Sequence, residues 1–582
     1  MPSDPPNATI AALFDELADL YELDGAVVHR VLAYRNAAKT VREAPRSVAA
    51  LAREGKVTEL PGIGRTLEDK ITALIETGTI PAAEKLRSKF PVGLVDMTRL
   101  PGLGPKRARK LFDELGIDSL EALRAAAQTQ QLRNVRGFGP KFEEAVLAAF
   151  AAGVAEASRP RMLLHKALQT GDAIVEALRA HPAADRVELA GSARRLVDAV
   201  KDLDIVATAS DPPALLGALA DIDLIETWSG SDNAARARTH SGLQIDLRVV
   251  EPDQFGNVLQ HLTGSKAHNM ALRDAAVRRG LHVSEYGVLD DGTGTTHRCP
   301  REEDVYALLG LPWIPPELRE DRGELQLRSA EEVPALVEQA DLRGDLHMHT
   351  VLSDGRNTAE DMALAARERG LGYIALTDHS ASHGFGNHVD PDALRRQIER
   401  VRELNDRVEG IEVLIGTESN IGLDGSPDYD DDLLAELDWV IASVHTSFGM
   451  STEAMTDRIV AAIEHPLVDA IGHPTGRKIE RRPPYGVDMD RVIEAAARTG
   501  TMLEINSAPD RRDLNDVHAR AAAAAGVRIL VDSDAHGANT LGLTRWGIAT
   551  ARRAWLTAAD VANTLPWEQF APLRKRARSA AQ

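Results

Sequence analysis

Six histidines and three carboxylates in the C-terminal half of this 582-residue chain stand where apolar runs stop. GDLHMH closes on His347 and His349, with Asp354 five residues further on. YIALTDH closes on His379, VLIGTE on Glu418, WVIASVH on His445, VDAIGH on His473, and RILVDSDAH on Asp534 and His536. A further run, TMLEIN, closes on Glu504 and Asn506. Mixed imidazole and carboxylate ligation suits Zn²⁺ or Mn²⁺ and leaves positions for water and phosphate. Nine such residues exceed the needs of one ion. A bridged ion cluster polarises a phosphoester and generates hydroxide at neutral pH. A closed structural zinc site would call for four ligands, often thiolates, and the chain has the single cysteine Cys299. His240, His268, His383 and His388 fall outside the pattern and read as ordinary hydrogen-bonded histidines.

A second set of carboxylates lies earlier. In KDLDIVA, Asp202 and Asp204 are two apart on a predicted strand, which puts both side chains on one face. Asp246 follows in LQIDLRV, where apolar neighbours imply a mostly buried setting. Three carboxylates on one sheet face repel unless cations neutralise them. Mg²⁺ prefers such oxygen ligands and keeps positions open for substrate phosphates. Two ions so held stabilise both oxygens of an in-line phosphoryl displacement. A DxD pair by itself reads more readily as surface aspartates on an edge strand, so its neighbouring motifs decide.

The elements that must position these groups follow from periodicity. Residues 341–575 alternate strand-like runs with helices, the rhythm of a parallel barrel or open sheet. A barrel gathers the C-terminal ends of its strands at one rim, which unites residues as distant as His347 and His536. Around Asp202 the pattern is mixed α/β, and 251–318 is helical and then irregular. The double proline of LPWIPPEL and the charged run after it predict a linker at 319–340. The first 160 residues read as short helices joined by glycine turns: LPGIG at 60–64, LPGLG at 100–104 and RGFGP at 136–140. Gly62 and Gly64, Gly102 and Gly104, and Gly137 and Gly139 permit tight turning. Each pair precedes a helix with a basic residue near its start: Arg65, then Lys106 and Arg107, then Lys141. The free N–H groups and dipole of such a helix start suit a DNA phosphate, a contact that carries no sequence information.

The net charge of −20 argues against a chain that coats nucleic acid non-specifically. The charge is uneven: residues 1–160 hold 22 Lys and Arg against 21 Asp and Glu, so the remainder carries −21. The grip on DNA is therefore expected in the first 160 residues. MPSDPPN has neither a basic nor an apolar leader segment, no run of about 18 apolar residues exists, and a lone cysteine fits a reducing compartment. A cytoplasmic chain without a membrane partner is expected.

Ser192 of GSARR stands ten residues before Asp202, and HLTGSKAHN follows Asp246. With these motifs in order, residues 10–315 resemble the family X DNA polymerases. The resemblance implies that Asp202, Asp204 and Asp246 bind two Mg²⁺ (or Mn²⁺) ions for nucleotidyl transfer. It implies that Ser192 and Arg195 hold the incoming triphosphate, that Asn269 lines the nucleotide base in the minor groove, and that Arg273 touches the template. GLHVSEYG at 280–287 matches the thumb. A primer 3′-oxygen would attack the α-phosphorus, with pyrophosphate leaving. Two departures stand out. His261 and Leu262 precede TGS where vertebrate members have aromatics, which puts sugar discrimination in question, and Lys201 replaces a small residue before DxD. The N-terminal segment is similar to the family's lyase domain and places Lys70 at the Schiff-base lysine. An amine there could attack a deoxyribose aldehyde. Thr58 and Thr66 occupy two of the positions where basic residues hold the 5′-phosphate, while Arg30 and Tyr34 remain.

Residues 341–575 resemble the polymerase-and-histidinol-phosphatase (PHP) family, whose pattern is HxH, D, H, E, H, H, D-x-H. His347, His349, Asp354, His379, Glu418, His445, His473, Asp534 and His536 fill every position. The resemblance implies three Zn²⁺ or Mn²⁺ ions and 3′→5′ exonuclease or related repair phosphoesterase activity. The expectation is thus a multidomain α/β protein. A helical helix-hairpin-helix N-terminal region comprises a lyase-like domain (1–90) and a fingers-type domain (91–160). A nucleotidyltransferase palm (161–250), a thumb (251–318), the linker (319–340) and a C-terminal distorted (β/α)7 barrel (341–575) follow. It would work as a monomer on gapped or primed DNA with dNTPs. Two other readings stay open. One is an AP endonuclease or phosphoesterase whose polymerase-like half mainly binds DNA, against which the intact Asp triad argues. The other is a small-molecule phosphatase, against which the three glycine hairpins argue.

Overall fold

The computed structural model describes residues 4–98, 100, 102–151, 161–384 and 387–580. They form two compact units: Met1–Pro160, Gln169–Leu189 and Lys201–Val250 in one, and Arg161–Leu168, Ala190–Val200 and Glu251–Gln582 in the other. Pro101 of the second glycine turn and the boundary expected at 160 lie outside the described residues.

In the first unit, buried apolar residues from Ile10 to Val146 make one continuous core. The described residues before and after position 90 therefore share one interior, tied by Thr98 to Asp19 (3.2 Å) and by Arg109 to the Leu23 carbonyl (3.1 Å). The glycine turns repeat one construction. The first glycine takes a positive φ (Gly62 +79°, Gly102 +79°, Gly137 +96°), where glycine meets no Cβ penalty. The middle residue, Ile63, Leu103 or Phe138, is buried and anchors the turn. All six glycines face solvent, and helices begin directly after the second, at Arg65, Pro105 and Pro140. Proline suits that position because its missing N–H would have no partner within the helix.

The same unit holds a five-stranded sheet in the order Ala184–Leu189, Asp202–Ala209, Gln244–Val249, Ala234–Thr239, Ile225–Gly230. The second and third of these run parallel, and their register sets Asp204 beside Asp246.

In the second unit, the helices Phe255–Thr263, Lys266–Val277 and Glu302–Leu308 and a three-stranded antiparallel sheet enclose a small core that includes Cys299. Residues 319–340 are not the solvated tether expected of a linker. They pass through short 3₁₀ turns (Glu324–Gln326, Ala330–Glu332), with Arg319 and Glu324 fully buried. The reason is charge pairing across the chain. Arg319 donates to Glu302 at 2.5 Å, and Glu324 lies 2.6 Å from His268 Nδ1. His268 is thus a hydrogen-bonded core histidine. Glu302 also accepts from Arg194 at 2.8 and 2.7 Å. Burial raises its carboxyl pKa, but the Arg319 and Arg194 guanidiniums outweigh burial and bring it down from 4.5 to about 2. Its stabilisation is therefore present above pH 4.5 and fades as pH falls towards 2. Glu302→Gln, which strands Arg319, is expected to cost roughly 3–5 kcal/mol. The gap from wild type in melting temperature should narrow over that acid range. Parallel curves would remove Glu302 as the keystone of this region.

The remainder of the second unit is a barrel of seven parallel strands in chain order: β1 (Gly344–Asp345), β2 (Tyr373–Leu376), β3 (Glu412–Asn420), β4 (Trp439–Ser443), β5 (Ala470–Ile471), β6 (Met502–Asn506) and β7 (Ile529–Asp532). Side chains of Thr358, Asp390, Asp430, Ser451, Asp488 and Asn515 each cap a helix between strands by accepting a backbone N–H. The β7–β1 seam is nearly closed. One bridge joins Met348 and Ala535. Two carboxylates stitch the rest, Asp532 to the Leu346 N–H (2.8 Å) and Asp345 to the Ser533 N–H (3.0 Å). Tyr373, Ala375, Leu414, Trp439, Ile441, Met502 and Leu530 form an apolar plug against Phe570 and Trp567. Continuing the two-residue period up β2, β3, β4, β6 and β7 reaches His379, Glu418, His445, Glu504 and Asp534. Met348 lies in the outer core, against the helices. Among the described residues no helix is long and apolar enough to cross a membrane.

Candidate metal centre and nucleotidyl-transfer face

The barrel rim gathers all nine residues of the histidine-rich pattern. Their ligand atoms form three overlapping groups: His349, Asp354, His379 and His536; His347, His349 and Asp534; and His379, Glu418 and His445. Within each group the atoms lie within 4.8 Å of one another. His473, the ninth, places Nε2 at 3.0 Å from Glu418 Oε1. Glu418 Oε1 also faces His445 Nε2 (3.1 Å) and His347 Nε2 (3.4 Å), while its Oε2 faces His379 Nδ1 (2.8 Å) and His349 Nε2 (3.7 Å). Asp534 Oδ1 stands 3.1 Å from His349 Nε2, and Asp354 Oδ2 stands 3.3 Å from His536 Nε2. Two rim residues, His473 and Asp534, hold left-handed backbone at φ +30° and +52°. Such strain persists where a site is over-determined by its surroundings.

The donor set fits divalent cations. Buried nitrogens His349 Nδ1 and His473 Nδ1 have no hydrogen-bond partner, which would be costly were no ion to use the site. The facing imidazoles and carboxylates shift one another's proton affinity. Burial pushes His379 down, but Glu418 and Asp354 raise it to about 10. Glu504, Glu418 and Asp534 likewise raise buried His347 well above its ordinary value. Despite burial, Glu418 is held far below the usual carboxylate range by His445, His347 and His379, and Asp534 by His347 and His349. His349 falls to about 4 through burial and the nearby His379 charge, and His473 to about 3 through burial and Arg511, so both keep a free lone pair. A metal takes the lone pair that the proton occupies. Adding Mn²⁺ to metal-free protein near pH 8, below the His379 value of about 10, should therefore release protons, and the apparent affinity should rise with pH. Calorimetry in buffers of different ionisation enthalpy reads this directly, and a heat independent of buffer would contradict it.

Several supporting groups lie outside the nine-residue pattern. Glu504 accepts from His347 Nδ1 (2.7 Å) and from the His473 N–H (2.6 Å), which aims His347 Nε2 at the cluster. Asn506 holds Asp534 Oδ2 at 2.9 Å. Their strand-end position was the available signal. His383, read as ordinary, stacks on the His379 ring at 4.5 Å. The cluster lines a cavity of about 340 Å³ with Lys478 and Arg511 on its wall.

In the first unit, Asp202 and Asp204 share one sheet face with Asp246. Asp246 is mostly buried, as its neighbours implied, but not wholly. Ile245 and Leu247 face the core with no exposure, and the two-residue period turns Asp246 to the open side, a quarter exposed. Arg236 Nε donates to its Oδ1 (2.8 Å) and Gln244 Nε2 to its Oδ2 (2.6 Å). Asp204 and Asp246 border a cavity of about 440 Å³ that also meets Arg236 and Arg248. A guanidinium here answers the carboxylate charge that a divalent cation would answer.

The residues expected to hold nucleotide and template belong to the second unit. Ser192 lies on the short helix Gly191–Arg194. Arg195 is committed elsewhere: Nε donates to Glu320 (3.0 Å) and a terminal nitrogen to the Thr263 carbonyl (2.9 Å). Arg553 also donates to Glu320, at 2.9 Å. The Asn269 amide donates to the His261 carbonyl (2.7 Å) and accepts from Gln260 (3.1 Å). A Cβ on Gly264 of the TGS motif would fall 2.3 Å from Asn269 Oδ1, so only glycine fits. Arg273 is exposed, with a terminal nitrogen 3.4 Å from His261 Nδ1. In the first unit Lys70 is half-buried on the helix Arg65–Thr77, while Tyr34 stacks on Tyr21 at 5.1 Å.

Comparison with known proteins matches residues 5–80 to a helix-hairpin-helix domain, 94–151 to a SAM-like helix-hairpin-helix tandem, 258–320 to the DNA polymerase beta thumb and 345–508 to the PHP domain. The chain is 36% identical over 570 residues to the DNA polymerase/3′-5′ exonuclease PolX of Bacillus subtilis (strain 168), covering 97% of this chain and 99% of that protein. A probable phosphatase of Caldanaerobacter subterraneus subsp. tengcongensis is 34% identical over 203 residues, 33% of this chain and 75% of that protein. One of Shewanella oneidensis is 32% identical over 208 residues, 34% of this chain and 78% of that protein.

Proposed function

Because the chain belongs to the family X DNA polymerases that carry a C-terminal PHP domain, we propose that it fills short gaps in DNA at the palm and thumb and shortens 3′ ends at the barrel. The observation that carries this reading is the presence of two ligand-rich sites on separate sheets. One is the Asp204–Asp246 register pair, the other the nine-residue rim. Asp202, Asp204 and Asp246 would hold Mg²⁺ or Mn²⁺, and the nine rim residues three Zn²⁺ or Mn²⁺ ions. Ions so held would neutralise charge on phosphate oxygens and, at the barrel, would supply an activated water.

The chain's own groups do the rest. Arg195, once released from Glu320, grips the triphosphate with Ser192. Asn269, its amide fixed by His261 and Gln260, lines the base, and Arg273 meets the template. The exposed glycine turns at Gly62/Gly64, Gly102/Gly104 and Gly137/Gly139 take backbone phosphates of gapped or primed DNA. Lys70 is the candidate amine for lyase chemistry. The chain acts as a monomer in the cytoplasm, with DNA and dNTPs as its partners.

The test uses one-nucleotide-gapped DNA labelled on the primer 5′ end, with Mg²⁺ or Mn²⁺. Addition of one nucleotide when dNTPs are present, and stepwise shortening when they are absent, is the expected pair of results. A folded protein that incises abasic DNA but never extends a primer would overturn the polymerase half in favour of an AP endonuclease.

A further inference from the structure

Beside the metal centre lies a basic cleft of about 670 Å³ that none of the roles above uses. Arg161, Arg477, Lys478, Arg481, Arg482 and Arg553 line it, against Asp198, Glu480 and Asp516. This excess of cations sits in the acidic part of the chain, where the residues after 160 carry −21. Lys478 lines both the cleft and the 340 Å³ metal cavity, so the two share a wall. On the metal side Arg511 continues the basic surface, with Nε 4.0 Å from Asp534. The other wall is Val197, Asp198 and Ala199, which in the chain lie between GSARR and DLD.

The cations are carried on a rigid hairpin. Lys478 and Arg482 exchange two backbone hydrogen bonds of 2.8 Å, and Glu480 turns the tip at φ +59°. The Arg482 guanidinium packs over Phe448 at 4.2 Å. Pro483 and Pro484 follow directly. Lys478 and Arg481 share one carboxylate, Asp510, at 3.0 and 3.8 Å. Arg477 and Arg553 are committed to Asp198 (2.7 Å) and to Glu320 and Asp516 (2.9 Å each). The surplus positive charge therefore sits at the Lys478–Arg482 tip. Fixed charges lose little conformational freedom when an anion docks. A lone phosphate monoester would need only the metal-side cations. A surface that runs on past the cavity suits a chain of phosphates.

We propose that the hairpin 477–482 is a phosphate track that leads a single strand of DNA, 3′ end first, along the cleft into the metal cavity. The proposal deepens the phosphoesterase reading of the barrel and rests on it. Recognition is through backbone charge and is indifferent to sequence.

The test compares the full-length, metal-loaded wild type with Arg481→Glu. Arg481 is more than half exposed and its loss leaves no buried group unpaired. Two substrates are used: single-stranded oligonucleotides of increasing length, and thymidine 5′-(4-nitrophenyl phosphate), a diester that occupies the metal cavity alone. The variant should raise KM for long strands about tenfold and flatten the log–log salt dependence of kcat/KM by about 0.7. Turnover of the small diester should persist. Equal losses on both substrates, or an unchanged KM for long strands in a wild type that shortens them, would overturn the track alone. A wild type that cleaves the small diester but shortens no strand would overturn the nuclease reading, and the track with it.

Discussion

Glu418→Gln is expected to slow 3′-end shortening by about a thousandfold or more, some 4 kcal/mol of transition-state stabilisation, and to leave primer extension within about twofold. The effect is large because one fully buried carboxylate faces five imidazoles, those of His347, His349, His379, His445 and His473, at 2.8–3.7 Å. It belongs with His379 and His445 to one ligand group, and through His347 and His349 it borders the other two. Glutamine preserves the shape but removes the charge and one acceptor. The measurement is metal content together with shortening of 5′-labelled single strands, and extension is read on the same preparation. A metal-replete variant with wild-type nuclease rate would take Glu418 out of the site.

The mirror-image result is expected of Asp246→Ala: extension falls by about a thousandfold or more while strand shortening continues. Asp246 sits in register with Asp204 on the parallel pair of palm strands, and its two oxygens are oriented by Arg236 and Gln244. The change removes a ligand from an open sheet face and leaves the core residues Ile245 and Leu247 untouched, so stability should hold. Extension is followed with labelled gapped DNA. If both activities die together in a folded Asp246→Ala protein, the two sites are not independent.

The rim cluster was legible because its residues obey local rules. A two-residue period, an apolar run and a terminal His or carboxylate are all visible within a few residues, and the barrel rim follows from the strand–helix rhythm. The glycine turns were legible for the same reason. Distant pairings escaped. Arg195 meets Glu320 across 125 positions, and Arg319 answers Glu302 from what reads as a linker. The apolar neighbours of Asp246 bury the alternate face of its strand, so they could not say how far Asp246 itself stays open, a quarter exposed. Glu504 was visible as a strand end. Its role towards His347 needed the distance across the barrel, 157 positions along the chain.

The seam of the barrel adds one consequence. Where β7 meets β1, a bridge, two carboxylate stitches and the Asn563 amide, which donates to the Gly344 and Val531 carbonyls, stand among the described residues in place of a full ladder. His347 and His349 stand on one lip of that gap and Asp534 and His536 on the other, and the lips face each other through His349 and Asp534 at 3.1 Å. Ions held by these residues would rivet an unfinished hoop. Their removal would then take away a fastening of the wall as well as a reagent.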